Sequence, residues 1–165
     1  MKIYIAGASA ELARCKEAIT IAREAGLEIT QDWTLVVEMA ASLTPEAASD
    51  PAFLKRCAAE DMQGIEAADV FWLLLPEAES QGALFEFGYA VRERGQRYTD
   101  DDLDRALEIL ISGPRVKTVL WTQADRKFTS DAEALAYILD RAVMESCCAC
   151  NAGEPFPAVC EKAKP

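Results

Sequence analysis

The sequence predicts an α/β fold, a doubly wound parallel sheet of four to five strands with helices on both faces. Three observations predict it. Val70–Leu75 is an apolar run, VFWLLL, entered from Asp69 and stopped by Pro76. A run of that length bounded by turn signals fits a strand buried on both faces. Lys2–Ala6, KIYIA, reads as a strand that passes straight into Gly7-Ala8-Ser9 and then a helical pattern. Strand and helix patterns then alternate along the chain, which implies parallel pairing beneath covering helices.

Taken in order, the first helix runs from about Ala10 to Ala25, with Gly26 where a helix C-terminal glycine belongs. Leu27–Thr30 begins a second strand, expected to reach Trp33. Thr34–Met39 either prolongs it or belongs to a loop, and Ala40–Asp50 is loop-like. A helix is expected over Pro51–Ala67, then the Asp69–Leu75 strand, then a helix from about Gly82 to Arg94. Asp100–Asp102 favours a helix start through the dipole, so Leu103–Ile111 reads as an amphipathic helix broken by Gly113-Pro114. Val116–Trp121 reads as another strand, Lys127–Ser130 as a turn or short strand, and Asp131–Ser146 as the last helix. One α/β domain is expected over residues 1–146, with an insertion at about 96–112 and a tail over 147–165 that carries cysteines and prolines.

Composition excludes several chemistries. There is no histidine in the 165 residues, which removes Ser-His and Cys-His dyads and imidazole acid-base work. Proton chemistry falls to carboxylates, Tyr, Lys or Cys. The net charge of -11 argues against a nucleic-acid polymer, whose usual footprint is a basic face. A small nucleotide stays open, since a pocket has its own local field. Cys15 and Cys57 look like small buried apolar residues. Cys147, Cys148, Cys150 and Cys160 lack the paired CxxC spacing of a zinc site, so no metal and no cofactor are expected. No apolar run nears the roughly 18 residues of a membrane span, and Met1–Ala6 is too short for a signal peptide. The expectation is a cytoplasmic protein with no membrane partner.

In a flavodoxin-like (Rossmann-like) sheet of order 2-1-3-4-5, ligands bind at the carboxyl ends of strands one and three, where the order reverses. The loops there are Gly7–Ser9 and Pro76–Gly82. They would bring Gly7, Ala8, Ser80 and Gly82 to one crevice, with backbone N–H groups facing any anion above it. Glu86 lies in the first turns of the following helix, amid Leu84, Phe85, Phe87 and Tyr89. It reads either as an outward-pointing helix-start acid or as an acid held in a cleft. Asp61 is either a solvated surface acid or a site acid. Tyr4 either packs in the core or aims its hydroxyl at the crevice. Ser80 reads as a loop residue or a ligand, and Trp33 as core or as a stacking surface for a base. Asp69 reads as a strand-entry residue.

Three pieces, KIYIAGA at the start, Asp61 with IEAADVFWLLLP, and SQGALFEFGYA, resemble the nucleoside 2-deoxyribosyltransferase family. The resemblance covers roughly residues 1–95, with Val116–Val143 matching loosely. It implies that Glu86 is the nucleophile that attacks C1′ of a 2-deoxyribosyl group. It implies that Asp61 handles the proton of the leaving base and that Tyr4 orients Glu86. The classical transferases carry an aspartate six residues before the glutamate, where this chain has Ser80. The nucleoside monophosphate N-glycosidase branch has a serine there that binds the 5′-phosphate. The resemblance therefore implies a small-molecule nucleoside or nucleotide substrate, with water or a second base as acceptor. It also implies a homo-oligomer, dimer or higher, because family members complete the site from a neighbouring subunit. Two other readings of the same fold stand beside it: a non-catalytic nucleotide sensor, and a TIR-like glycohydrolase acting on NAD.

Overall fold

The computed structural model describes residues 1–77, 80–99, 106–113 and 122–150. Five strands, β1 (Lys2–Ala6), β2 (Glu28–Ile29), β3 (Val70–Leu74), β4 (Glu108–Ser112) and β5 (Arg126–Phe128), form one sheet in the order β2-β1-β3-β4-β5. Every pairing is parallel. This is the predicted doubly wound architecture. All five residues of β3 and four of the five in β1 and in β4 are buried, as two covered faces require.

The two faces are separated by alternation along β3. Phe71 points to one side, where its ring lies 6.3 Å from Phe87 of helix α5 (Gln81–Thr99). Trp72 points to the other, where it lies with Ala18 of α1 (Leu12–Glu24) and Leu135 of α6 (Asp131–Cys150). Helix α1 buries Cys15, Ala18, Ile19 and Ala22, one stripe at helical spacing. Gly26 follows it with φ +84°, the left-handed cap foreseen in the sequence. Helix α4 (Pro51–Ala67) packs beside α5; Asp50 caps it by accepting from the Phe53 N–H at 3.0 Å. Among the described residues no helix is long and apolar enough to cross a membrane.

The structure corrects the expectations at several places. The second strand stops at Ile29, and Trp33 opens a helix, α2 (Trp33–Ala41), instead of ending a strand. Its β-branched run hid the helical period: Trp33 and Val37 face the core while Leu35 and Met39 face solvent. A four-residue helix, α3 (Pro45–Ala48), interrupts the expected loop. The helix expected over Leu103–Ile111 is overturned at its second half, since Glu108–Ser112 is strand β4, paired with β3 along its length. A short apolar run such as EILIS has no period that separates a strand from a buried helix segment. Helix α5 extends to Thr99, into the segment read as an insertion. The Val116–Trp121 strand and residues 151–165 of the tail lie outside the described residues. Cys15 is buried, whereas Cys57 is only half-buried.

Candidate active site

β1 has β2 on one side and β3 on the other, so the loops that leave β1 and β3 part from each other at the sheet's carboxyl edge. A cavity of about 310 Å³ opens there. It is lined by Gly7, Ala8, Ser9 and Ala10 after β1, by Trp33, and by Ser80 to Ala83 and Glu86 from the start of α5. Six candidates from separate parts of the chain thus meet: Gly7, Ala8, Trp33, Ser80, Gly82 and Glu86. A larger cavity, about 520 Å³, lies at the opposite edge by Met1, Lys2 and Asp69 and collects none of them. Asp69 there accepts the Lys2 N–H at 2.6 Å, the strand-entry role expected of it.

Each lining residue has a local reason for its place. Gly7 lies over Cys15; a Cβ on it would stand 2.5 Å from Sγ, so only glycine lets the turn approach α1 this closely. The Trp33 indole N–H donates to the Ile5 carbonyl at 2.8 Å, which locks the ring. Trp33 is therefore both core, 7% exposed, and cavity wall. Ser80 accepts the Ala83 N–H on its Oγ at 3.3 Å and the Leu84 N–H on its carbonyl at 3.2 Å. It caps α5, whose first residues, Gln81 and Gly82, line the cavity.

Behind Glu86 stands Tyr4. Its ring is fully buried and stacked on Phe71 at 5.8 Å and 6°. Tyr4 lies within electrostatic reach of both Glu86 and Asp61. The Tyr4 O–H lies near enough to both acids to favour their ionised forms, although no hydrogen bond of ordinary length and angle closes among the three. The Tyr4 hydroxyl and Glu86 Oε2 are the buried side-chain polar atoms left without a partner among the described residues. Buried polar groups are nearly always paired, so these two unpaired atoms make the spot a candidate site.

The charges follow from this setting. Burial, with the Asp61 charge added, pushes the Glu86 carboxyl up to about 8, while Tyr4 pulls it down in part. Burial pushes Asp61 up to about 6; Tyr4 opposes this and Glu60 adds to it. Burial and then the two carboxylates hold the Tyr4 hydroxyl well above the usual phenol range. Two acids raised by their surroundings can retain a shared proton near neutrality. Asp61 and Glu86 are both half-buried.

Sequence reasoning passed over two parts of this arrangement. Gly64, in the middle of α4, lies against Tyr4 and Gln31. A glycine inside a helical pattern was the available signal. Arg14 donates to both Asp131 oxygens at 2.7 and 2.9 Å, to Glu11 at 2.6 Å and to the Leu75 carbonyl at 3.1 Å. Glu11 in turn accepts the Glu77 N–H at 2.7 Å. This clamps the chain that leaves β3 toward the cavity. Nothing in the sequence pairs residues so far apart.

No protein-family model matches the chain, and neither does any curated protein sequence. Among solved structures, it is similar to the CMP N-glycosidase of Clostridium botulinum at 16% identity, with a TM-score of 0.48, over 84% of this chain and 98% of the other.

Proposed function

We propose that the protein cleaves the N-glycosidic bond of a 2′-deoxynucleoside or its 5′-monophosphate and passes the sugar to water or to a second base. One observation carries the reading: Glu86 borders a small cavity with its Oε2 buried and unpartnered, and the Asp61 carboxyl and the buried Tyr4 phenol stand within electrostatic reach of it. The resemblance of KIYIAGA, Asp61 and ALFEFGYA to the deoxyribosyltransferases supports the same assignment.

The chemistry needs two carboxyl groups with split roles. A nucleobase leaves well only when protonated. As the C1′–N bond breaks, its electron pair goes to the base nitrogen, which takes a proton from the Asp61 carboxyl. The sugar carbon becomes oxocarbenium-like, and a Glu86 carboxylate oxygen bonds to C1′. Water, giving its proton to the Asp61 carboxylate, then displaces Glu86; a second base does the same in transfer. The reactive form holds one proton on the pair. Developing positive charge at C1′ favours the ionised state of Glu86 and leaves that proton on the side of the base. Tyr4 lowers both acids and so helps keep Glu86 ionised. Ser80, Gly82 and the first N–H groups of α5 suit a hydroxyl or phosphate of the substrate, and Trp33 supplies a flat wall for a base.

The test is chromatography of products from a panel of deoxynucleosides and their 5′-monophosphates, each with and without a second base. Wild-type protein releases free base, and Glu86→Gln loses the activity by about 10³-fold or more while remaining folded. Full base release by the glutamine variant removes Glu86 as nucleophile.

A further inference from the structure

Helix α4 packs against α2, α3, α5 and β1. Of its seventeen residues, only Gly64 and Ile65 are buried. Its depth is therefore set near that point. A Cβ on Gly64 would stand 2.6 Å from Gln31 Cβ and 3.0 and 3.1 Å from Cδ2 and Cε2 of Tyr4. Neither neighbour yields easily. Gln31 Cβ moves only with its backbone, and the Tyr4 ring is fully buried and stacked on Phe71. A glycine inside a helix costs about 1 kcal/mol relative to alanine, so it needs a compensating contact. That contact is the approach of α4 to β1.

Asp61 lies three residues before Gly64, on the same side of the helix and one turn away. We propose that Gly64 is a positioning residue: by letting α4 close on the Tyr4 ring, it sets how near the Asp61 carboxyl stands to Glu86. Its consequence for catalysis rests on the function proposed above; the geometric part does not. With alanine at 64, α4 must rise from the strand. Asp61 then retreats from Glu86, and water enters beside both acids. Each of the causes that raises Glu86, burial and the Asp61 charge, weakens.

Carboxyl-¹³C NMR titration of wild type and Gly64→Ala reads this directly, without substrate. The Glu86 midpoint falls in the variant. A loss of global stability alone lowers the melting temperature and leaves the midpoint where it was. An unchanged midpoint overturns the proposal. The double variant Gly64→Ala/Gln31→Gly removes the tighter clash and keeps the Tyr4 contact. Its midpoint lies between those of wild type and Gly64→Ala. If the single variant does not fold, the double variant decides by the same criterion against wild type. In the base-release assay, Gly64→Ala lowers kcat by about 10- to 100-fold with KM little changed. If wild type releases no base from any substrate, the proposed function falls, and the titration still decides the role of Gly64.

Discussion

The Tyr4 hydroxyl and Glu86 Oε2 are both buried, belong to interacting side chains, and each lacks a hydrogen-bond partner. One comes from the first strand and the other from the second turn of α5. An arrangement of this kind costs the fold stability.

Glu86→Gln should stabilise the protein. The folded Glu86 carboxyl is raised from its ordinary value to about 8, so the folded state holds its proton more tightly than the unfolded chain. Stability from this group is full below about 4.5 and is lost as pH rises toward 8. The glutamine variant lacks that loss. At pH 8 it should exceed wild type by on the order of 2 kcal/mol in urea denaturation, and the gap should close toward pH 4.5. A variant less stable than wild type at pH 8 would contradict the burial of an ionisable group here.

The rate of base release should trace a bell against pH. Its acid limb lies near 6 and its alkaline limb near 8, the values toward which Asp61 and Glu86 are raised. These are properties of the pair, since one proton must remain and one must leave. Tyr4 lowers both acids, so Tyr4→Phe should move both limbs to higher pH and reduce kcat by about tenfold. Limbs that stay in place would mean that Tyr4 does not tune the pair.

Gly7→Ala should cost about 1–3 kcal/mol, because its Cβ meets Cys15 Sγ at 2.5 Å in a packed interior. Cys15→Ala removes the obstructing sulfur and should recover most of that loss. A double-mutant cycle by thermal melting measures the coupling. Purely additive losses would place the strain elsewhere.

Arg14→Ala should destabilise by about 2 kcal/mol, since Asp131 and Glu11 then lose their shared cation in a half-buried site. Burial works to raise Asp131, but Arg14 and Ser112 outweigh it and hold the carboxyl below its ordinary range. That stability is present above about 3.8 and is lost as pH falls through the lowered value. The difference between wild type and Arg14→Ala should therefore shrink in strongly acid solution. A difference independent of pH would mean that the ion pair is not its source.

Much of the fold was legible because buried parallel strands announce themselves. KIYIA and VFWLLL are too apolar to sit elsewhere, and the glycine turn after the first places a helix beside it. EILIS carries the same signal in only three apolar residues, Ile109 to Ile111, a few positions after an acidic run that imitates a helix start. WTLVVEMAA is β-branched yet helical, because the tertiary setting of Trp33, with its N–H locked on Ile5, outweighs local preference. The candidate site was legible where it lies on loops next to strong elements, as with Gly7, Ser80 and Glu86. The state of its acids was not. Burial of Asp61 depends on how deeply α4 docks, and the Arg14 clamp joins residues 117 apart in sequence. Distances of that kind appear only once the chain is folded.

Ser80 begins the helix that carries Glu86, and this makes the interval between them a ruler. Each residue of helix turns the next by about 100°, so one inserted or deleted between the cap and the glutamate would swing the acid off the cavity altogether. Length changes upstream of Ser80 leave that phase untouched. Over evolutionary time, drift in size should therefore collect before the serine, while the six-step interval after it stays frozen.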